Sequence, residues 1–401
     1  MNLFQASHQW ATRPNDERFS NLKEMFDACK GYHATAHEFE LSPDHLNVVT
    51  HLSSKNPSEP NDLRFAIEES GKSRRTASFT HWSFGQFCRS VGAPAEYLRG
   101  LPAELAVKNL RHGIEQLQND SSRRPLKILT HTNGTDVLRA MTSVSYSRIW
   151  NWEVIERIIE LPDKGWIVPP ARPALPDQSG TRLATKEDIV PGQADFGLSV
   201  KVGDPIAPAG LYASDHDLFV FLLLPAARVN DGTDLGMMKG MFISNSEVGA
   251  QSLKITKFRM RACCGNHICW DASGILEVRI VHRGKADSRF VNQLSMELLR
   301  YGEEGVEEEE KLIQAAQRYT LGKDKNEVLD VLFGIKNLGP TRKQLDEAYD
   351  LAEENEDYDG NPRSIWGMVQ GLTRLSQRIP YMDQRARIDR SAGKIMELAT
   401  A

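Results

Sequence analysis

The chain has 401 residues, a net charge of -5, 40% hydrophobic and 26% charged residues. That length holds two or three domains with real cores, and the composition is that of an ordinary globular protein. The mild acidity excludes a globally basic nucleic-acid binder, so any such role has to come from a local patch.

From the N-terminus, Asp16, Glu17 and Arg18 interrupt any apolar leader, so no secretory signal is expected. Asn15 is positioned to cap a helix carrying Phe19, Leu22, Met25, Phe26 and Cys29. Short strands are expected around Val48-Val49 and Leu63–Ile67, on either side of the loop SSKNPSEPND. Trp82 to Leu117 predicts a helix ending at Gly92, a turn at Ala93-Pro94, a second helix to Arg99 and a third after Pro102. This is helix-turn-helix spacing, which any three-helix packing unit also produces. Leu126 to Met141 predicts a hairpin turning at Asn133-Gly134. Asn151 is placed to cap a helix carrying Val154, Ile155, Ile158 and Ile159.

Leu161 to Pro191 is rich in proline and poor in periodicity, and predicts a long irregular crossing. Residues 195–287 are then strand-rich. The longest apolar run, Leu218 to Pro225, is too short to cross a bilayer, so it reads as a buried strand and no membrane partner is expected. Asp215 and Asp217 precede it and read as turn-formers at a strand start rather than metal ligands. Glu303 to Lys311 is an acidic run of the kind that opens a solvated helix. Helices are expected over 306–319, 325–334, 341–356 and 363–398, the last broken at Pro380.

The densest strand signal lies in Gly240–Ala286. Leu253 and Ile255 alternate with polar residues. Lys257 reads as a one-residue phase shift, as a bulge would give. After it, Phe258, Met260, Ala262 and Cys264 share one face, and Lys257, Arg259 and Arg261 the other. Asp271 to Gly274 is a turn. Leu276, Val278, Ile280 and His282 then face one way and Arg279 and Arg283 the other. With a helix from Arg289 to Tyr301, the unit reads strand, strand, strand, helix. The fold class expected is α+β: an antiparallel sheet of meander or hairpin type with packed helices, plus a helical C-terminal region. The regions are 1–160, an α+β part with the helix-turn-helix-like segment; 161–191, the irregular crossing; 192–302, the strand-rich core; and 303–401, helical.

Three chemistries suggest themselves. Lys257, Arg259, Arg261, Arg279, Arg283 and Lys285 on one wet face would bind phosphates, with Trp270 or Phe290 as stacking platforms. The ordinary alternative is a sheet with one solvated face and cross-strand pairs. Cys264 with His282, oriented by Asn266, would make a thiol nucleophile, although no oxyanion hole or pocket is visible. Cys263, Cys264, His267, Cys269 and His282 are metal-ligand types, but their spacing is not that of paired C-x-x-C knuckles, so no metal or other cofactor is expected. Five cysteines, odd in number and scattered, fit a reducing cytoplasm.

QWATRPNDERF (Gln9 to Phe19), WSFGQFCRSVGAPAEYLRGLP (Trp82 to Pro102), LRAMTSVSYSRIWN (Leu138 to Asn151), LYASDHDLFVFL (Leu211 to Leu222), SNSEVGAQSLKI (Ser244 to Ile255), CCGNHICW and VHRG together resemble the phage/plasmid-like family of uncharacterised proteins, domain of unknown function 932. The family's Cys-x-Asn-Gly step reads Cys264-Gly265-Asn266-His267 here, so no role is carried over for that glycine. The resemblance implies a place in mobile-element DNA metabolism and brings no catalytic residues. The leading expectation is a homo-oligomeric protein that binds single-stranded DNA in replication or recombination. The alternatives are a thiol- or metal-dependent enzyme using Cys264 and His282, and a protein that docks a host or element-encoded partner through the acidic run and C-terminal helices.

Overall fold

Alternating strand residues bury one face at a time, and in this chain they do so in two separate six-stranded sheets. The computed structural model describes residues 17–51, 62–67, 75–169, 172–173, 181–189, 200–207, 210–214, 216–233, 236–261, 267–270, 278–280, 282, 296, 300–303, 305–378 and 382–400. The architecture is α+β, with mixed and antiparallel sheets followed by helices.

The first sheet is built from β1 (Ala36–Leu41), β2 (Asn47–His51), β3 (Asp62–Ile67), β4 (Arg75–Phe79), β5 (Leu126–Asn133) and β6 (Thr135–Ser143). Their spatial order is β1-β5-β6-β4-β3-β2. Every neighbouring pair is antiparallel except β4 and β6, which run parallel. A parallel step needs a long crossover. The helices supply it: after α1 (Leu22–Ala34), these are α2 (His81–Ser90), α3 (Ala95–Arg99) and α4 (Ala103–Asn119). Thr80 opens α2 with a capping box to Ser83. The helix-turn-helix-like segment therefore lays its apolar residues, among them Phe84, Phe87, Leu98 and Leu110, against Val48, Phe65 and Ile128 of the sheet. The Asn133-Gly134 hairpin joins β5 to β6, and Gly134 holds φ +75°, a value that suits glycine.

The second sheet runs β10 (Leu211–Ala213), β11 (Leu218–Val229), β12 (Met237–Asn245), β13 (Leu253–Arg261) and β14 (His267–Trp270), with β15 (Val278–Ile280) also paired to β13. All of these pairs are antiparallel. One face packs Leu218, Val220, Leu222, Met241, Ile243, Leu253 and Ile255 onto α1 and α5 (Asn151–Ile158). The crossing supplies β7 (Arg172–Pro173) and β8 (Arg182–Leu183), which form a small sheet with β9 (Pro205–Ala207) beyond it. The C-terminal helices are α6 (Glu307–Arg318), α7 (Lys325–Gly334), α8 (Arg342–Glu353), α9 (Ile365–Arg378) and α10 (Met382–Met396). They form their own apolar cluster, which takes in Val229 and Met237 from the second sheet. At Gly371 a Cβ would collide with the carbonyl oxygen of Ala348, so glycine sets how closely α9 approaches α8. Among the described residues no helix is long and apolar enough to cross a membrane.

Two expected caps move. The first helix starts at Leu22 and is capped by the Asn21 side chain on the Glu24 amide, whereas Asn15 lies outside the described residues. Asn151 sits inside α5, where its side chain accepts a bond from Asn245 rather than capping.

Candidate nucleic-acid interface

The register of β13 decides the fate of its basic residues. Met241 pairs with Lys257, Lys239 with Arg259 and Met237 with Arg261, in unbroken sequence from the Ser244–Lys254 pair. The phase shift expected at Lys257 is therefore absent; the irregularity of this sheet lies in β11, between Leu224 and Arg228. Without a shift, Lys257 and Arg259 continue the row of Leu253 and Ile255 on the core-facing side. Lys257 is 5% exposed, Arg259 3% and the neighbouring Lys239 0%. The expectation of a wet cationic face fails for Lys257 and Arg259.

The reason is a partner contributed from far along the chain. Tyr301, itself buried, presents its ring to all three cations, with Lys239 at 5.4 Å, Lys257 at 4.6 Å and Arg259 at 5.2 Å from the centroid. Lys239 Nζ also donates to the Tyr301 carbonyl at 3.2 Å. Arg259 Nε donates to Glu309 Oε2 at 2.6 Å, its Nη2 to Glu309 Oε1 and its Nη1 to the Tyr301 hydroxyl. A bidentate pairing of this kind is the strong form of the arginine–carboxylate contact. The long stems pack along the apolar row while the heads find an aromatic ring and a carboxylate.

The other side of the same sheet has a different character. Phe219 pairs with Ser244, Phe221 with Phe242, Ser244 with Lys254 and Phe242 with Thr256. By alternation these share the face opposite the Leu253–Arg259 row, with Phe221 and Ser244 buried on it. The rings of Phe219 and Phe242 stack at 5.5 Å and 6°, and those of Phe221 and Phe242 at 4.5 Å and 26°. Phe219, Phe242, Lys254 and Thr256 are all partly exposed. Arg279 takes the register position opposite Lys254, and Trp270 the one opposite Phe258. Of the six basic residues singled out from sequence, Arg261 continues the Lys257–Arg259 row by register, Arg279 falls on the opposite face, and Arg283 and Lys285 lie outside the described residues. The outward phenylalanines were not singled out in advance. Their signal was the alternation of Phe219 and Phe221 within an unbroken apolar run.

Comparison with family models, curated proteins and solved structures found no match. The site is therefore argued from its own residues.

The nucleophile alternative is placed only in part, because Cys264 and Asn266 lie outside the described residues. His282 is 3% exposed and stacks on Tyr146 with ring centroids 5.1 Å apart. Burial, helped by the nearby charge of Arg148, pushes its pKa down to about 4, so the imidazole is neutral. A ring so enclosed lacks the access that a solvent-fed general base needs. Of the other metal-type residues, Cys263 lies outside the described residues, and His267 and Cys269 are placed only as backbone of β14. Among the described residues no group of three or more His, Cys, Asp or Glu could hold a metal ion. Asp217 is a turn residue: its carboxylate accepts from the Ser214 hydroxyl at 2.8 Å while its amide donates back at 3.2 Å. Asp215 lies outside the described residues.

His282 borders a polar junction where the two sheets meet. Arg139 of β6 donates to Glu247 at 2.9 Å with both side chains buried, and the Asn151 amide donates to the same carboxylate at 2.8 Å. Asn245 Nδ2 donates to the Ile149 carbonyl and the Asn151 side chain, each at 2.9 Å. Trp82 and Gln86 of α2 both donate to the Val248 carbonyl, at 2.9 and 2.8 Å. Segments far apart in sequence thereby meet at the turn after β12. Cys29 borders this junction, and burial first, then Glu247, pushes its thiol up to about 12, leaving it neutral and unreactive.

Proposed function

We propose that the protein binds DNA, single strands above all, through the outward face of the second sheet, as a homo-oligomer in mobile-element replication or recombination. The observation that carries this reading is the partly exposed, stacked Phe219–Phe242 pair beside Lys254, with Arg279 opposite Lys254 in register. Aromatic faces stack on any base, and flanking cations neutralise the backbone, which together give sequence-tolerant binding to single strands. The resemblance to phage/plasmid-like proteins supplies the setting. Lys257 and Arg259 drop out of the contact set because both are buried.

The test is fluorescence anisotropy of a labelled single-stranded oligonucleotide over a salt series. Binding should weaken linearly in log–log form as salt rises. Phe242→Ala should cost about 1–3 kcal/mol of binding. No binding at low salt, binding without a salt slope, or a Phe242→Ala protein that binds like the parent each overturns the reading. Sedimentation velocity tests the oligomer.

A second reading, docking of a protein partner on the C-terminal helices, is favoured by the exposure of Tyr319, Val331 and Phe333, at 53%, 46% and 57%. Co-purification with and without Phe333→Ser checks it.

A further inference from the structure

Two buried side chains at the junction between the sheets keep nitrogens without a hydrogen-bond partner among the described residues. The Arg148 side chain is 2% exposed. Its Nε donates to Glu38 Oε2 at 2.7 Å and its Nη1 to the Glu247 carbonyl, but Nη2 has no hydrogen-bond partner among the described residues. His282, 3% exposed, has no hydrogen-bond partner at either ring nitrogen among the described residues. Both groups lie against one ring: Arg148 sits 5.2 Å from the Tyr146 centroid, and His282 is 5.1 Å from it. Buried donors in native proteins are almost always satisfied, and an orphan is destabilising. Two orphaned side chains beside the same aromatic ring mark a place where an acceptor belongs.

Charge points to the kind of acceptor. Glu38 is the carboxylate partner of both Arg148 at 2.7 Å and Lys127 at 3.5 Å. Lys127 Nζ spends another donor on the Tyr146 carbonyl at 2.9 Å. Two cations thus share one carboxylate, and this corner carries one positive charge in excess. A water would satisfy the donors without balancing that charge, whereas an anion does both. Guanidinium and imidazole N–H groups together match the several acceptor oxygens of a tetrahedral oxyanion.

We propose that Arg148 and His282 border a buried site for one small oxyanion of the phosphate class. The ion would accept from Arg148 Nη2 and from a His282 ring N–H, with Tyr146 as its wall. Lys127 and Glu38, the ion pair beside Arg148, have side chains 18% and 29% exposed. An ion there would bridge β1, the stretch after β6 and the stretch after β15, tying the two sheets together.

The ion site uses none of Phe219, Phe242 and Lys254, so it does not depend on DNA binding. The experiment titrates inorganic phosphate into the full chain in chloride-free buffer. Phosphorus NMR line broadening reads binding, and melting temperature reads linked stability. Saturable binding is expected. His282→Phe keeps the stacked ring and removes both nitrogens, and should weaken phosphate by about tenfold or more. It should leave the phosphate-free melting temperature equal or higher, because a buried orphan is gone. Arg148→Lys should weaken phosphate similarly. A chloride arm, run the same way, should show weaker binding. Absence of saturable phosphate binding to the parent chain, or equal binding by both variants, overturns the site. Chloride binding as tightly as phosphate overturns the oxyanion assignment. Repeating the titration with a single-stranded oligonucleotide in place of phosphate separates a free ion from a nucleic-acid phosphate. An oligonucleotide that is lost on His282→Phe but kept on Phe242→Ala would overturn the free-ion form.

Discussion

Lys254 and Lys257 sit on one strand, three residues apart, and the fold uses them in opposite ways. Lys257 points into the core-facing row with Lys239 and Arg259, where Tyr301 and Glu309 receive the heads. Lys254 lies on the other side, partly exposed, beside the stacked phenylalanines. Residue type does not separate a buried cation from a partly exposed one. The phase of the pleat does, together with whatever the rest of the chain brings to that face.

The contrast can be broken most forcefully from the inside. Glu309→Ala leaves Arg259 buried without its carboxylate, and removing one member of a buried pair costs about 3–5 kcal/mol. Chemical denaturation measures that loss. A change under about 1 kcal/mol would mean that Arg259 reaches solvent after all. Next in size is the pH dependence of the other enclosed group, His282. Its folded pKa of about 4 lies below the ordinary 6.5, so between those values the unfolded chain binds the extra proton. Stability from this residue is complete above pH 6.5 and falls away as pH drops toward 4, by about 3 kcal/mol in all. Denaturation curves at a series of pH values should show that slope, and His282→Phe should flatten it. The smallest effect belongs to the outside. Lys254→Gln should change stability by no more than about 0.5 kcal/mol. It should also lower the salt slope of single-strand binding by about 0.7, the share of one phosphate contact. A large stability loss instead would make Lys254 a structural cation like its neighbour.

Much of the fold was legible where the signal is local. The C-terminal helices follow from apolar residues at helical spacing, and the helix over 325–334 begins and ends where expected, with Asp324 as its N-cap. The Asn133-Gly134 hairpin was legible for the same reason, since a tight turn with glycine at φ +75° carries its own chemistry. The phase of β13 was not legible. A lysine and an arginine at alternate positions read as solvated, and only residues 42 and 50 positions further on turn that face into an interior. The junction between the sheets was hidden likewise: Glu247 lies in a stretch that reads as a polar turn, and Arg139 and Arg148 meet it from 108 and 99 positions away. The outward aromatic pair could have been found, had the unbroken run in β11 been split by pleat rather than treated as uniformly buried.

The clasp between Arg259 and Glu309 also constrains how this gene can be reshuffled. Recombination between related genes trades segments, and a crossover between β13 and α6 would join a sheet from one parent to helices from another. Unless both parents kept the same acid at that place, the hybrid would enclose a guanidinium with nothing to answer it. Viable exchanges are therefore expected to carry the two segments as one block.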